Sequence, residues 1–437
     1  MFVMHDRTRR LLCRLGFLLF CVAPTLTVVV CISVVRSPAY VAAHRAACER
    51  RLSDALGLDV SIGNVRELLQ GVTQLEQVVL AEPETGAVIG HIRHLEFGRQ
   101  DGQLVVLASQ PEIEGEHIWR LWESLHERML RTRSADALEA LFYAGEITIR
   151  QAGGQNASTL TDVRSVLRTT ETGPQATIEF RDAALQMSEP AQLRITRNRQ
   201  VQPPATRWEL NTRSTALPCT LLADYLDILR TVGDRATFQG TIEAMPAAAG
   251  WEGEIAGRFL DVDLDRLTER RPHKLSGFAE VVLRRARFRA GRLSDAAGDV
   301  TCHGGVVTRS LLYQADKSLG LIADARLLTP QANMLVVFQQ LKLGFTLDQS
   351  GIRIAGQCLP HGSGIVMTDD GGPLLSSQAR EAVQVSALVR TLAPDSGEHV
   401  PANFEASQLL HILPIPAEND RPRSDMARPL YPRLRLQ

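Results

Sequence analysis

The chain has 437 residues, 44% of them hydrophobic and only 5% aromatic, enough for a sizeable core in about two or three domains. Its 48 basic residues nearly cancel its 49 acidic ones. No global field therefore favours nucleic acid, and no aromatic-plus-basic platform for it occurs. The seven cysteines are too sparse for a disulfide framework, and three of them (Cys13, Cys21 and Cys31) lie in or beside one apolar stretch. Arginine supplies nearly all the positive charge, with lysine only at 274, 317 and 342. That usage fits a GC-rich bacterial genome, or contact with phosphate and anionic lipid.

Residues 1–14 carry Arg7, Arg9, Arg10 and Arg14 and read as a short cytoplasmic tail. Leu15 to Val35, LGFLLFCVAPTLTVVVCISVV, is a run of 21 residues without a charge. As a helix it would measure about 32 Å, enough for a hydrocarbon core of about 30 Å. Pro24 at its middle is tolerated in a membrane span. The competitor is a cleaved signal peptide ending near Val41-Ala42-Ala43, but its apolar region normally runs about 7–15 residues. The reading is a retained single-pass anchor with an exported domain behind it. Ser37-Pro38 then caps a juxtamembrane helix within 36–57, running from Ala39 to Leu56 and stopped by Gly57. Its Arg45, Arg50 and Arg51 suit either lipid head groups or a solvated face.

From Leu58 the pattern has period two, and Asp59 to Glu114 predicts a meander of about four strands. Residues 117–142 switch to a helical period, with Ile118, Leu121, Trp122, Leu125 and Met129 on one face and Leu138, Leu141 and Phe142 extending it. Alternating strands resume at Gly145. Residues 216–232 predict a helix, and strands follow, including LLYQ and LGLIADAR. Thr329-Pro330 opens a helix over 331–341, and 343–356 reads as a hairpin with Ser350-Gly351 at the turn. Helices over 378–392 and 403–412 close the fold, and 413–437 is a Pro/Arg-rich disordered tail. The two β-rich parts are expected at 58–233 and 234–412.

Three blocks carry a resemblance: RRLSDALGLDVSIGNVRE with QLEQVVLAEPETGAVIGHIRHLEFGR, FLDVDLDRLTERRPHKLSGFAEVVLRRARFRAGRLSDAAGDV, and LKLGFTLDQSGIRIAGQC. Together they resemble the AsmA-like family of bacterial envelope proteins. The resemblance implies an inner-membrane anchor, a long curved sheet with an apolar inner face, and a role in lipid transport or outer-membrane biogenesis. The fold class expected is mainly β with peripheral helices: an N-terminal transmembrane helix, then a long curved antiparallel sheet.

Chemical motifs are missing. No glycine-rich phosphate loop, HExxH or nucleophile elbow occurs. Cys302-His303 with Cys358 and His361 lacks the spacing of a zinc site, and Glu114, Glu116 and His117 read as an exposed strand-to-helix junction. Asp261, Asp263 and Asp265 fit a strand end running into a helix cap. The expectation is a non-catalytic protein of the bacterial inner membrane, its C-terminal domain in the periplasm, with no cofactor and no metal. Its partners would be membrane lipid and other envelope proteins, and not nucleic acid. Strand parity nominates Ile147, Ile149, Ile178, Phe180, Leu193 and Ile195 as lipid-contacting. Two outcomes stay open for that face: an open groove, or a closed core in a scaffolding ectodomain.

Overall fold

A computed structural model describes residues 14–393 and 413–414, apart from 69–70, 132–138, 151–156, 186–188, 222–228, 230, 248–249, 270, 328–333, 360–363 and 379–381. The expected helix at 403–412 and nearly all of the tail lie outside the described residues. Helix α1, Arg14–Val34, is long and apolar enough to cross a membrane, and no part of it is covered by protein. A π-helical turn at Leu18–Val22 precedes Pro24, with Ala23 N–H donating to the Leu18 carbonyl. The wider turn absorbs a residue that has no N–H to give. Thr25, Thr27 and Ser33 return their hydroxyls to carbonyls four residues back at 2.6, 2.8 and 2.8 Å, so none of them needs water. Helix α2, Pro38–Leu56, starts as expected: the Ser37 hydroxyl accepts from Tyr40 N–H at 3.3 Å. It ends at Gly57, whose φ of 68° is left-handed.

The chain divides into two compact units, Met1–Asp261 and Val262–Gln437, and among the described residues nineteen strands belong to one hydrogen-bonded sheet. In the first unit β1 (Asp59–Leu68), β2 (Val72–Ala81), β3 (Val88–Gln100) and β4 (Gln103–Glu114) form the expected antiparallel meander. Then β5 (Ala140–Arg150) pairs with β4 in parallel, the one departure here from antiparallel order. A parallel neighbour needs a crossover, supplied by helix α3 (Ile118–Ser124), which continues as a π-helical turn over Leu125–Leu130. The helix expected to reach 142 therefore stops short. Ala140 must lie opposite Leu104, so Leu141 and Phe142 belong to a strand. Antiparallel order resumes through β6 (Ala157–Thr170), β7 (Gly173–Asp182), β8 (Ala191–Asn198) and β9 (Ala205–Asn211).

The helix expected over 216–232 begins differently. Leu217–Pro218 is a short strand, β10, and Cys219–Leu221 makes one 3-10 turn. Strand β11 (Thr237–Ala247) pairs with both β9 and β12 (Gly250–Asp263). The first unit takes in β11 and β12 as far as Asp261.

In the second unit Asp263 caps helix α4 (Leu264–Thr268), accepting from Asp265 N–H at 3.0 Å and Arg266 N–H at 3.3 Å. The aspartate series is thus a strand end and cap, as its spacing suggests. Strands β13 (Phe278–Arg289) and β14 (Arg292–Thr308) form a hairpin. LLYQ is not a strand: it lies in helix α5 (Arg309–Leu319), where Leu312, Ala315 and Leu319 are buried at helical spacing. After the three-residue β15 (Leu321–Ala323) comes β16 (Leu335–Asp348), where a helix over 331–341 was expected. Residues 335–347 instead make an antiparallel ladder to β14, interrupted only at Gln339 and Gly304. The expected hairpin to β17 (Gly351–Gly356) forms, with Gln349-Ser350 as its loop and Gly351 already paired to Asp348. Strands β18 (Ile365–Asp369) and β19 (Gly372–Ser377) follow. Helix α6 (Val385–Leu392) starts later than 378, because Val383 first bridges to Ile352.

One feature shapes the first unit. At one level across the sheet the ladder skips a pair on each hairpin: Gly63 with Gln77, Gln77 with Arg93, Arg93 with Gln110, and Gly145 with Asp162. Gln77, Gln110 and Asp162, on alternate strands, hold left-handed φ values of 54°, 50° and 51°. Each interruption leaves two polar residues or glycines between residues that face the same side. The sequence shows this as Ile62…Val65, Leu75…Val78, Ile92…Leu95, Ala144…Ile147 and Leu160…Val163. Left-handed backbone is costly for β-branched side chains. Asp162→Val should lower stability by about 1–2 kcal/mol, whereas Asp162→Gly should hold or raise it by up to about 1 kcal/mol. Thermal unfolding of the two variants beside the parent checks this.

Candidate functional site

The apolar face of the first unit carries three neighbouring clusters. At one flank Val60, Ile62, Leu75 and Val78 pack beneath Cys48, Leu52 and Leu56 of α2. At the other, Leu167, Ala176 and Ile195 pack beneath Trp122, Leu125 and Leu130 of the crossover. There Trp122 and Trp208 meet edge-on, with ring centroids 5.4 Å apart. Between them lies a cluster around Ala108, Ala144, Ile147 and Val163, joined by Ile92, Leu95, Ile113, Phe142, Ile149, Leu160, Ile178 and Phe180. Among the described residues, every apolar side chain of this middle cluster comes from β3–β7 and none from a helix. A cross-strand row continues the face sideways: Ile178, Leu193, Leu210, Ile242 and Ile255 are successive register partners.

The six residues nominated from parity fall in two of these clusters. Ile147, Ile149, Ile178 and Phe180 meet in the middle one, while Leu193 and Ile195 belong to the flank under the crossover. Their accessibility differs. Ile195 is 0% exposed and Ile147 7%, so both are core side chains. Ile149, Ile178, Phe180 and Leu193 are half-buried. Parity missed Ile92, Leu95, Ile113, Phe142, Leu160 and Val163. The signal that finds them is the three-residue apolar spacing at the skipped ladder positions, which strict alternation discards.

Polar contacts hold the crossover in place. Glu82, 6% exposed, pairs with Arg120 and accepts from the Thr85 hydroxyl at 2.6 Å. The Ser124 hydroxyl donates to the Leu56 carbonyl at 2.5 Å, tying α3 to the end of α2. His126 Nε2 lies 2.9 Å from the Thr206 hydroxyl, and Arg199 donates to the Leu130 carbonyl at 3.0 Å. Burial would raise the Glu127 carboxyl, but hydrogen bonds from Arg131 and His126 hold it below its ordinary value.

The three buried cysteines are held in the thiol form. Burial pushes Cys219 up to about 12 and raises Cys302 and Cys358 as well. Among the described residues no group of three or more His, Cys, Asp or Glu is arranged to hold a metal ion. No family model, curated protein or solved structure matches this chain.

Burial separates the two ends of the face energetically. Ile195→Ala should cost about 2–4 kcal/mol, as for a sealed aliphatic side chain, and Ile195→Asp should abolish folding. Phe180→Asp should leave the fold in place, because the new carboxylate keeps access to water. Denaturant midpoints of the three variants measure the difference.

Proposed function

We propose that this chain is a membrane-anchored, non-catalytic envelope protein that binds lipid on its apolar sheet face and holds it for transfer during envelope biogenesis, in the manner of the AsmA-like family it resembles. The observation that carries the reading is the middle cluster, an apolar surface built by five strands with no helix packed into it among the described residues. A sheet face of that kind needs a cover. An acyl chain supplies one, at about 0.8 kcal/mol per buried CH₂. Ile149, Ile178 and Phe180 are the half-buried side chains such a chain would touch.

Helix α1 supports a bilayer as the lipid source. The basic segment ahead of it favours retention on the cytoplasmic side of a bacterial inner membrane, with the sheet in the periplasm. The second reading, a scaffolding ectodomain that binds other envelope proteins, draws on the sealed flank, where Ile195 and Leu130 have no exposed surface. A photo-reactive benzophenone amino acid at position 180 of the full chain, irradiated in native membranes, separates the two. Phospholipid adducts at 180 and none at 195 are expected. Phe180→Asp should lower co-purifying phospholipid severalfold at an unchanged unfolding temperature. Adducts to protein alone, with phospholipid content unaltered in Phe180→Asp, would favour the scaffold.

A further inference from the structure

Helix α2 lies along one edge of β1 as well as over the sheet face. Among the described residues β1 has one hydrogen-bonded neighbour, β2. Cys48, Leu52 and Leu56 of α2 reach the apolar cluster. Arg45, Glu49 and Ser53, spaced four residues apart, serve the edge instead. The Ser53 hydroxyl accepts from Val60 N–H at 3.0 Å, and the Glu49 carboxylate from Ile62 N–H at 2.9 Å. Arg45 donates to the Gly63 carbonyl at 3.3 Å, and His44 meets Glu67 at 3.4 Å. As the helix numbers fall the strand numbers rise, so α2 runs antiparallel to β1.

That direction brings one end of the sheet to the exit of the span. His44 stands seven residues past Ser37, about 10 Å of helix. The last described pair of the β1–β2 hairpin, Leu68 with Val72, is one residue past Glu67, about 3 Å of strand. The hairpin end therefore comes within about 7 Å, along α2, of Ser37. Ser37 is three residues beyond the apolar helix Arg14–Val34.

Apolar side chains are exposed at this level. Tyr40 is 44% exposed, Val41 42% and Leu68 43%. Tyr40 lies parallel to His44, ring centroids 6.1 Å apart, which keeps it beside the same strand end. Arg36, at the exit of the span, is exposed too. An amphipathic aromatic ring, a long cation and uncovered aliphatic side chains are the residues that sit between hydrocarbon and head groups. One exposed apolar side chain is ordinary on a solvated surface. Three of them, from a helix and from a strand end, meet here next to a span.

We propose that Tyr40, Val41 and Leu68 form an interfacial foot that dips into the bilayer beside α1, with Arg36 at the head groups. The partner is the lipid surface itself. Contacts of α2 with the β1 edge hold the hairpin end there, so the first strands meet the membrane at the β1–β2 turn and not at the β2–β3 turn. The inference rests on the reading of α1 as a membrane anchor and adds which end of the sheet touches the bilayer. It does not need the middle cluster to hold lipid.

The test places an environment-sensitive fluorescent amino acid at position 26, 41, 68 or 88 of the full chain. Each protein is reconstituted in vesicles of phosphatidylcholine and phosphatidylglycerol that carry a nitroxide lipid, labelled near the head group or near the chain end. Val88, 36% exposed, is the control, because it stands at the opposite end of β2, paired with Ala81. Positions 41 and 68 should be quenched severalfold more strongly than 88 by the head-group nitroxide, and position 26 by the chain-end nitroxide. Quenching at 26 with no more at 68 than at 88 overturns the foot and leaves the anchor standing. No quenching at 26 overturns the anchor, and the foot with it.

Discussion

The first unit depends on keeping one side of a sheet apolar while its strands change direction. Strict alternation would turn the apolar set over to the solvent side wherever a strand bends. This chain meets the constraint by letting the ladder pause at one level through β1–β6, with left-handed backbone at Gln77, Gln110 and Asp162. Each pause turns two small or polar residues outward and returns the next apolar one to the same side. The cost is strain at three non-glycine residues, and the gain is a face without a polar break from Ile62 to Val163.

Cover for that face is uneven. Helix α2 continues from the span and lies over the first strands, and the crossover that parallel pairing of β4 with β5 demands lies over the last. Both helices are held by polar contacts at their ends, Glu82 with Arg120 and Ser124 with Leu56, so their positions are fixed by geometry as well as by apolar packing. Between them, among the described residues, the apolar cluster is built from strand residues alone. The same crossover brings His126 against Thr206 of β9, whose hydroxyl also accepts from Arg197 of β8. One short connection therefore sets both the sealed flank of the face and the polar contacts at its end.

Local signals made much of this legible in the sequence. An uncharged run gave the span, Ser37-Pro38 and Gly57 bounded α2, turn residues separated the meander, and Asp263 stood where a cap belongs. The errors share one cause. Short apolar runs satisfy two periods at once, so LLYQ was readable as a strand although Leu312, Ala315 and Leu319 bury one side of a helix, and VVFQQL as a helix although β14 recruits it. The middle cluster was half visible. Parity found Ile147, Ile149, Ile178 and Phe180, but not the residues displaced by the skipped ladder positions.

The sequence by itself determined that an apolar helix leads into alternating strands with one oily side, because span length, caps and turn chemistry act within a few residues. Only the tertiary structure decided which part of that side a helix covers and which it leaves to the strands. It also decided that His126 of the crossover and Arg197 of β8 meet at the Thr206 hydroxyl. Those outcomes rest on register and on a parallel crossover, which join residues dozens of positions apart and leave no local trace.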